Sequence, residues 1–226
     1  DLNVSPIRDK DGQYIGAMAT WEVITDKLKA AAERDDAMAD ANALSKTLAV
    51  LGSSSTREQA IQETLDAVRA EFGWAYGSYW AVDPADGLLH FAAESGDAGP
   101  EFRAVTLAAT FAEGVGLSGR AWRSRDLFFT PDLGEMTDCV RAPVAQKVGV
   151  KSGLCFPVIV EGQVIGTMDF FMLETITPSG QRLDTLRNVG RLVSQAFNRI
   201  TKESAEREQA AEMAAKVEMV LDVVRA

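Results

Sequence analysis

Cysteine and histidine are nearly missing: the 226-residue chain has two cysteines, Cys139 and Cys155, and one histidine, His90. Two distant cysteines make neither a disulfide framework nor a CxxC redox site, so the expected setting is a reducing cytoplasm. With one histidine, a Ser-His-Asp triad would have to use His90, which stands in the apolar run Leu88-Leu89-His90-Phe91 and reads as a sheet-face residue. The three together lack the spacing of a structural zinc site. No G-x-S-x-G elbow and no G-x-x-x-x-G-K-[S/T] phosphate loop occurs. Positive charge is also short: the formal net charge is -10, against a nucleic-acid surface and against anionic lipid. No apolar run is long enough to cross a bilayer. These absences lead to the expectation of a soluble, non-catalytic segment with no metal and no required cofactor.

The content is ordinary for a globular chain, 46% hydrophobic and 25% charged, and long enough for one domain with extensions. The start, Asp1-Leu2-Asn3-Val4, has no signal pattern and reads as a cut inside a longer protein, as does the end in Val223-Val224-Arg225-Ala226. Pro6 to Val23 reads as a hairpin turning at Asp11-Gly12. Thr25 to about Leu51 reads as a helix whose positions Ile24, Leu28, Ala31, Asp35, Met38 and Asn42 keep heptad spacing. That spacing serves a solvated linker or a parallel dimer seam equally well. Gly52-Ser53-Ser54-Ser55 breaks it, and Thr56-Arg57-Glu58-Gln59 is a capping box for a helix striped by Ile61, Leu65, Val68 and Phe72.

Strands are expected at 75–82 and 88–94, and again at 152–160 and 163–171 around the turn Glu161-Gly162. The last two are apolar throughout, so both their faces should be covered. A final helix opens at Pro178-Ser179 with Leu186, Val189, Val193, Phe197 and Ile200 as its core stripe. It then resumes heptads at Met213, Val217, Val220 and Val224.

This order of elements resembles a GAF domain over residues 43–200. The resemblance rests on Gly114-Val115-Gly116-Leu117-Ser118-Gly119-Arg120-Ala121-Trp122, on Thr130-Pro131-Asp132-Leu133, and on the runs from Val148 to Val158 and from Gly162 to Phe171. It implies an α/β (α+β) fold, an antiparallel sheet with helices on both faces, flanked by long signalling helices. It also implies a pocket between the sheet and the irregular middle segment, pointing to Phe111, Trp122, Asp132, Cys139, Arg141, Phe156 and Met168 as ligand-binding candidates. Haem would call on His90 or Cys139. A bilin would call on Cys139, but Val140 stands where relatives carry histidine. The run expected of a cyclic-nucleotide site is missing. An enzymatic relative such as a methionine sulfoxide reductase is disfavoured, because that chemistry wants reactive cysteines in a pocket.

Residues 1–24 resemble the closing hairpin of a PAS domain, with Ile24-Thr25-Asp26-Lys27 leading into the linker helix 25–51. Residues 201–226 read as an outgoing coiled-coil helix, in which Glu212 to Val224 resembles the stretch leading into the signalling part of a methyl-accepting chemotaxis protein. The resemblances together imply a segment of a bacterial PAS-GAF chemoreceptor. It would form a parallel homodimer through Leu28, Met38, Met213, Val217, Val220 and Val224, bind an unknown small molecule, and pass its signal to a downstream domain. The alternatives are a dimerisation module without ligand, or the sensor segment of a histidine kinase or cyclic-di-nucleotide enzyme.

Overall fold

The computed structural model describes residues 2–21 and 25–225. Val23 and Ile24, which entered the PAS resemblance and the first heptad, lie outside the described residues, as do the side chains of Val220 and Val224. The chain divides into two compact units, Asp1–Ala39 and Asp40–Ala226.

In the first unit, β1 (Leu2–Arg8) pairs antiparallel with β2 (Tyr14–Trp21). The Asp9 carboxylate accepts from the Asp11 and Gln13 amides, each at 2.9 Å, and Gly12 takes a φ of 81°. That side-chain bond is why an Asp-led loop makes the reversal here. Pairing reaches back to Leu2 rather than starting at Pro6. In a two-stranded ribbon each strand has a free edge, which tolerates a proline lacking its N–H. Helix α1 (Thr25–Ser53) begins in this unit and ends in the second.

The second unit opens on the end of α1. Gly52 stays helical, and the serines close the helix instead: Ser53 and Ser54 hydroxyls each donate to the Val50 carbonyl at 2.9 Å. Helix α2 (Arg57–Phe72) follows, with the Thr56 hydroxyl accepting the Gln59 amide at 3.2 Å and Gly73 closing it in the left-handed region. The Gln59 side chain reaches the Ser55 amide, one residue before the cap itself. Thr56→Ala should lose about 1 kcal/mol of stability, roughly 2–4 °C in midpoint, measured by thermal unfolding.

Six antiparallel strands then form one sheet in the order β5 (Thr110–Phe111), β4 (Leu89–Gly96), β3 (Tyr76–Val82), β8 (Gln163–Phe171), β7 (Gly153–Val160), β6 (Phe128–Thr130). The β7–β8 turn puts both Glu161 and Gly162 at positive φ, 49° and 77°, as a tight two-residue hairpin demands. One sheet face packs on α2 and on α6 (Gly180–Arg225) through Leu65, Phe156, Met168, Phe170, Val193 and Phe197. The other packs on α3 (Pro100–Ala108), α4 (Gly116–Ser124) and α5 (Ala142–Val148) through Trp80, Phe102, Phe111, Leu117 and Phe171. Two covered faces explain strands with no polar alternation.

Helix α6 has 46 residues, about 69 Å at 1.5 Å per residue. Leu186, Val189, Val193, Phe197 and Ile200 are buried, whereas Met213 and Val217 are 65% and 53% exposed. Leu28 and Met38 on α1 are also exposed. Arg199 of α6 donates to the Leu51 and Ser54 carbonyls at 2.9 and 3.0 Å, which closes the end of α1. No described helix is long and apolar enough to cross a membrane.

Candidate functional site

On the α3–α5 side of the sheet, one carboxylate gathers four donors. Asp169 on β8 lies opposite Ser78 on β3 and Cys155 on β7. The Ser78 hydroxyl donates to Asp169 Oδ1. Oδ2 accepts from Trp80 Nε1 at 2.9 Å, from the Ser118 hydroxyl at 2.9 Å and from Arg141 Nη2 at 2.6 Å. All five residues are fully buried. A buried carboxylate is tolerated only with this kind of saturation.

Local sequence brings each partner in. Ser78 and Trp80 alternate onto the same face of β3. Ser118 sits in the first turn of α4, which the glycine run sets up: Gly116 takes a φ of 63°, and the Gly114 amide bonds the Gly119 carbonyl at 2.6 Å. A side-chain carbon at Gly119 would come within 2.2 Å of the Ala112 carbonyl oxygen, so only glycine fits. Arg141 ends the turn that runs from Met136 and opens α5. Asp138 in that turn holds Arg120 at 2.9 Å and the Gly116 amide at 3.2 Å, tying the turn to α4.

The Arg141 guanidinium lies in an aromatic enclosure. Its Cζ is 4.7 Å from the Phe171 ring centroid, 4.9 Å from Phe111, 5.1 Å from Trp80 and 6.0 Å from Phe102. Burial works against its charge, but Asp169 and its other neighbours outweigh burial and hold its pKa above the ordinary arginine value. Nη2 is engaged, while Nε and Nη1 find no hydrogen-bond partner in the protein; three of the five guanidinium N–H groups therefore go unanswered. Burial, reinforced by Asp169, pushes the Cys155 thiol well above its ordinary pKa, so it stands there as a neutral thiol.

Of the seven ligand-binding candidates, the structure brings together Arg141, Phe111 and the buried Cys139, whose sulfur neighbours Gly116. Trp122 is half-buried and packs against the same core. Asp132 is elsewhere: it caps the 3-10 turn Leu133–Glu135 through the Gly134 amide at 2.8 Å and pairs with Lys151 at 3.0 Å. Phe156 and Met168 face the α2–α6 core on the opposite side of the sheet. Phe156 also lines a separate groove of about 440 Å³ beside Arg125, Arg187 and Arg191. Sequence reasoning missed Asp169, Ser78, Ser118 and Trp80. The available signal was Asp169, an acid between Met168 and Phe170 in an apolar strand, because such residues are buried only when paired.

His90 is half-exposed, with Nε2 2.8 Å from Asp86. Asp83 lies close by, so these three offer atoms within 4.8 Å of one another. The two aspartates also bind turn amides, Ala85 and Leu88.

A family model described as GAF domain matches residues 54–198. No curated protein matches the chain. Among solved structures, the GAF domain of a phosphoenolpyruvate-protein phosphotransferase from Coxiella burnetii superposes with a TM-score of 0.63 at 15% identity, over 75% of this chain and 98% of that one. The free methionine-R-sulfoxide reductase of Neisseria meningitidis, in complex with its substrate, gives 0.60 at 16% identity, over 73% and 91%. The fRMsr of Staphylococcus aureus, also with substrate, gives 0.57 at 11%, over 70% and 94%. These likenesses are likenesses of fold. They correct the expectation of a non-catalytic segment, because enzymes share this architecture. A missing triad or zinc motif is no argument against catalysis on a fold that hosts reductases.

Proposed function

Because this chain belongs to the GAF domain family, we propose that it is the sensory segment of a signalling protein, with a small molecule engaging the buried site around Arg141 and Asp169. The observation that carries the reading is the fully buried ion pair with unanswered N–H groups. Donors left without partners in a protein interior are costly, and a ligand that engages the site relieves them. The site then comprises Arg141, Phe111 and Cys139 from the sequence candidates, joined by Asp169, Ser118 and Trp80. The signal leaves along α6, which is continuous from the domain core to Arg225, toward a downstream domain. The finer reading is a bacterial chemoreceptor with a PAS domain in front of this segment.

Native mass spectrometry of gently purified chain tests the sensory part. Extra mass on the wild type that Asp169→Asn loses supports it. Equal extra mass on both places the ligand elsewhere and overturns the site.

Two copies side by side would carry the signal between them. A parallel homodimer would join α1 at Leu28 and Met38 and α6 at Met213, Val217, Val220 and Val224. The exposed Met213 and Val217 follow the heptad that makes such a seam. Val217→Glu should shift the chain to monomer by analytical ultracentrifugation, with the thermal midpoint of the folded core unchanged. A dimer that survives sinks the seam.

A further inference from the structure

We propose that the enclosure around Arg141 is a receptor for an alkylated ammonium cation, and that Arg141 is its built-in occupant, displaced when the ligand enters. The inference rests on the sensory reading above and names its ligand class.

Four aromatic rings, Trp80, Phe102, Phe111 and Phe171, lie within 6.0 Å of one cationic carbon, with the Asp169 carboxylate at its edge. Ring faces and one carboxylate together are the chemistry that attracts organic cations. Arg141 is an imperfect occupant. Its Nη2 meets Asp169, but Nε and Nη1 find no acceptor in the protein. In water all five N–H groups would be hydrated, so withdrawal relieves a cost that burial imposes. An alkylated ammonium ion carries few or no N–H groups. It satisfies the same rings and the same carboxylate without stranding a donor.

A carboxylate ligand fits less well. Asp169 already accepts from Ser78, Trp80, Ser118 and Arg141. The pair is neutral as a unit, and a second anion would stand buried beside Asp169 without a counter-charge. When a cation replaces Arg141, the charge balance is kept.

The displacement has a consequence for the chain. Arg141 joins the Met136–Arg141 turn to α5, and α5 packs on α3. Pulling the guanidinium out of the enclosure unlatches that segment from the sheet. Rings of β3, β5, β8 and α3 stay in place as the binding site.

The test is calorimetric titration of the full chain with choline, with 3,3-dimethylbutanol as its neutral counterpart and acetate as the anion. Choline should bind the wild type saturably and bind Arg141→Gln about tenfold more tightly, because the competing occupant is gone. The neutral counterpart should bind neither. If Arg141→Gln does not fold, Arg141→Lys should still bind choline more tightly than the wild type. Choline affinity unchanged or lost in the folded variants overturns the proposal, as does choline binding the variants and never the wild type. Acetate binding that disappears with Arg141 also overturns it, but leaves the sensory reading standing. Silence toward choline in all folded forms overturns the proposal, and the same silence toward acetate with no extra mass on the native protein removes the sensory reading as well.

Discussion

Replacing Asp169 with alanine should destabilise the domain by about 3–5 kcal/mol, because Arg141 is then a fully buried cation with no counter-charge. Both side chains have 0% exposure, and their atoms are 2.6 Å apart. Total stabilities of domains this size are about 5–15 kcal/mol, so the loss is a large share of the whole. The midpoint should fall by about 6–20 °C, at about 2–4 °C per kcal/mol. Asp169→Asn should fall between, since its carbonyl still accepts from Ser118 and the Trp80 indole. The pairwise substitution Arg141→Met with Asp169→Leu should recover part of the loss, because it removes both charges and the unanswered Arg141 N–H groups, while Ser78, Ser118 and the Trp80 indole still lose their shared acceptor. Urea unfolding of the wild type, Arg141→Met, Asp169→Leu and the double variant closes the cycle. A loss below about 1 kcal/mol in Asp169→Ala would mean that Arg141 escapes to water once released.

Trp80→Ala is the second large effect, about 3–5 kcal/mol. The indole is fully buried on the central strand β3. It stands edge-on to Phe111 at 4.8 Å and to Phe91 at 5.9 Å. Removing it opens a cavity against rings that backbone strands hold apart, so the site collapses little. Trp80→Phe isolates the polar share. It keeps an aromatic wall and loses the N–H to Asp169, for about 1–3 kcal/mol. Equal losses in the two variants would show that packing at Trp80 contributes little beyond the hydrogen bond.

Much of the fold was legible because punctuation residues act locally. Gly73 ends α2, Glu161-Gly162 turns β7 into β8, and Thr56 starts a helix, each through bonds to residues a few positions away. Where the reading slipped, a neighbour distant in sequence had intervened. Gly52 looked like a helix end, yet α1 runs to Ser53, with its last carbonyls taken by Arg199 from α6. Pro6 looked like a strand start, yet the pairing of β1 with β2 carries it inside the ribbon.

The site was legible only in part. Arg141, Phe111 and Cys139 lie in the irregular middle segment, where the family resemblance pointed. Phe156 and Met168 come from strands that are apolar on both faces, and such strands carry no alternation to say which face a side chain takes. Pairing register settles it: Phe156 and Met168 lie opposite one another on the α2–α6 side, while Cys155 and Asp169 lie opposite one another on the Arg141 side. One position along either strand reverses the answer.

The sequence by itself determined the family, the order of elements and the two heptad-bearing helical stretches, since these depend on spacing and local turns. Tertiary structure alone decided that Asp169, Ser78, Trp80, Ser118 and Arg141 form one buried unit. Those five come from two strands, a helix start and a turn up to 91 positions apart, and only sheet register and helix docking bring them within hydrogen-bond reach.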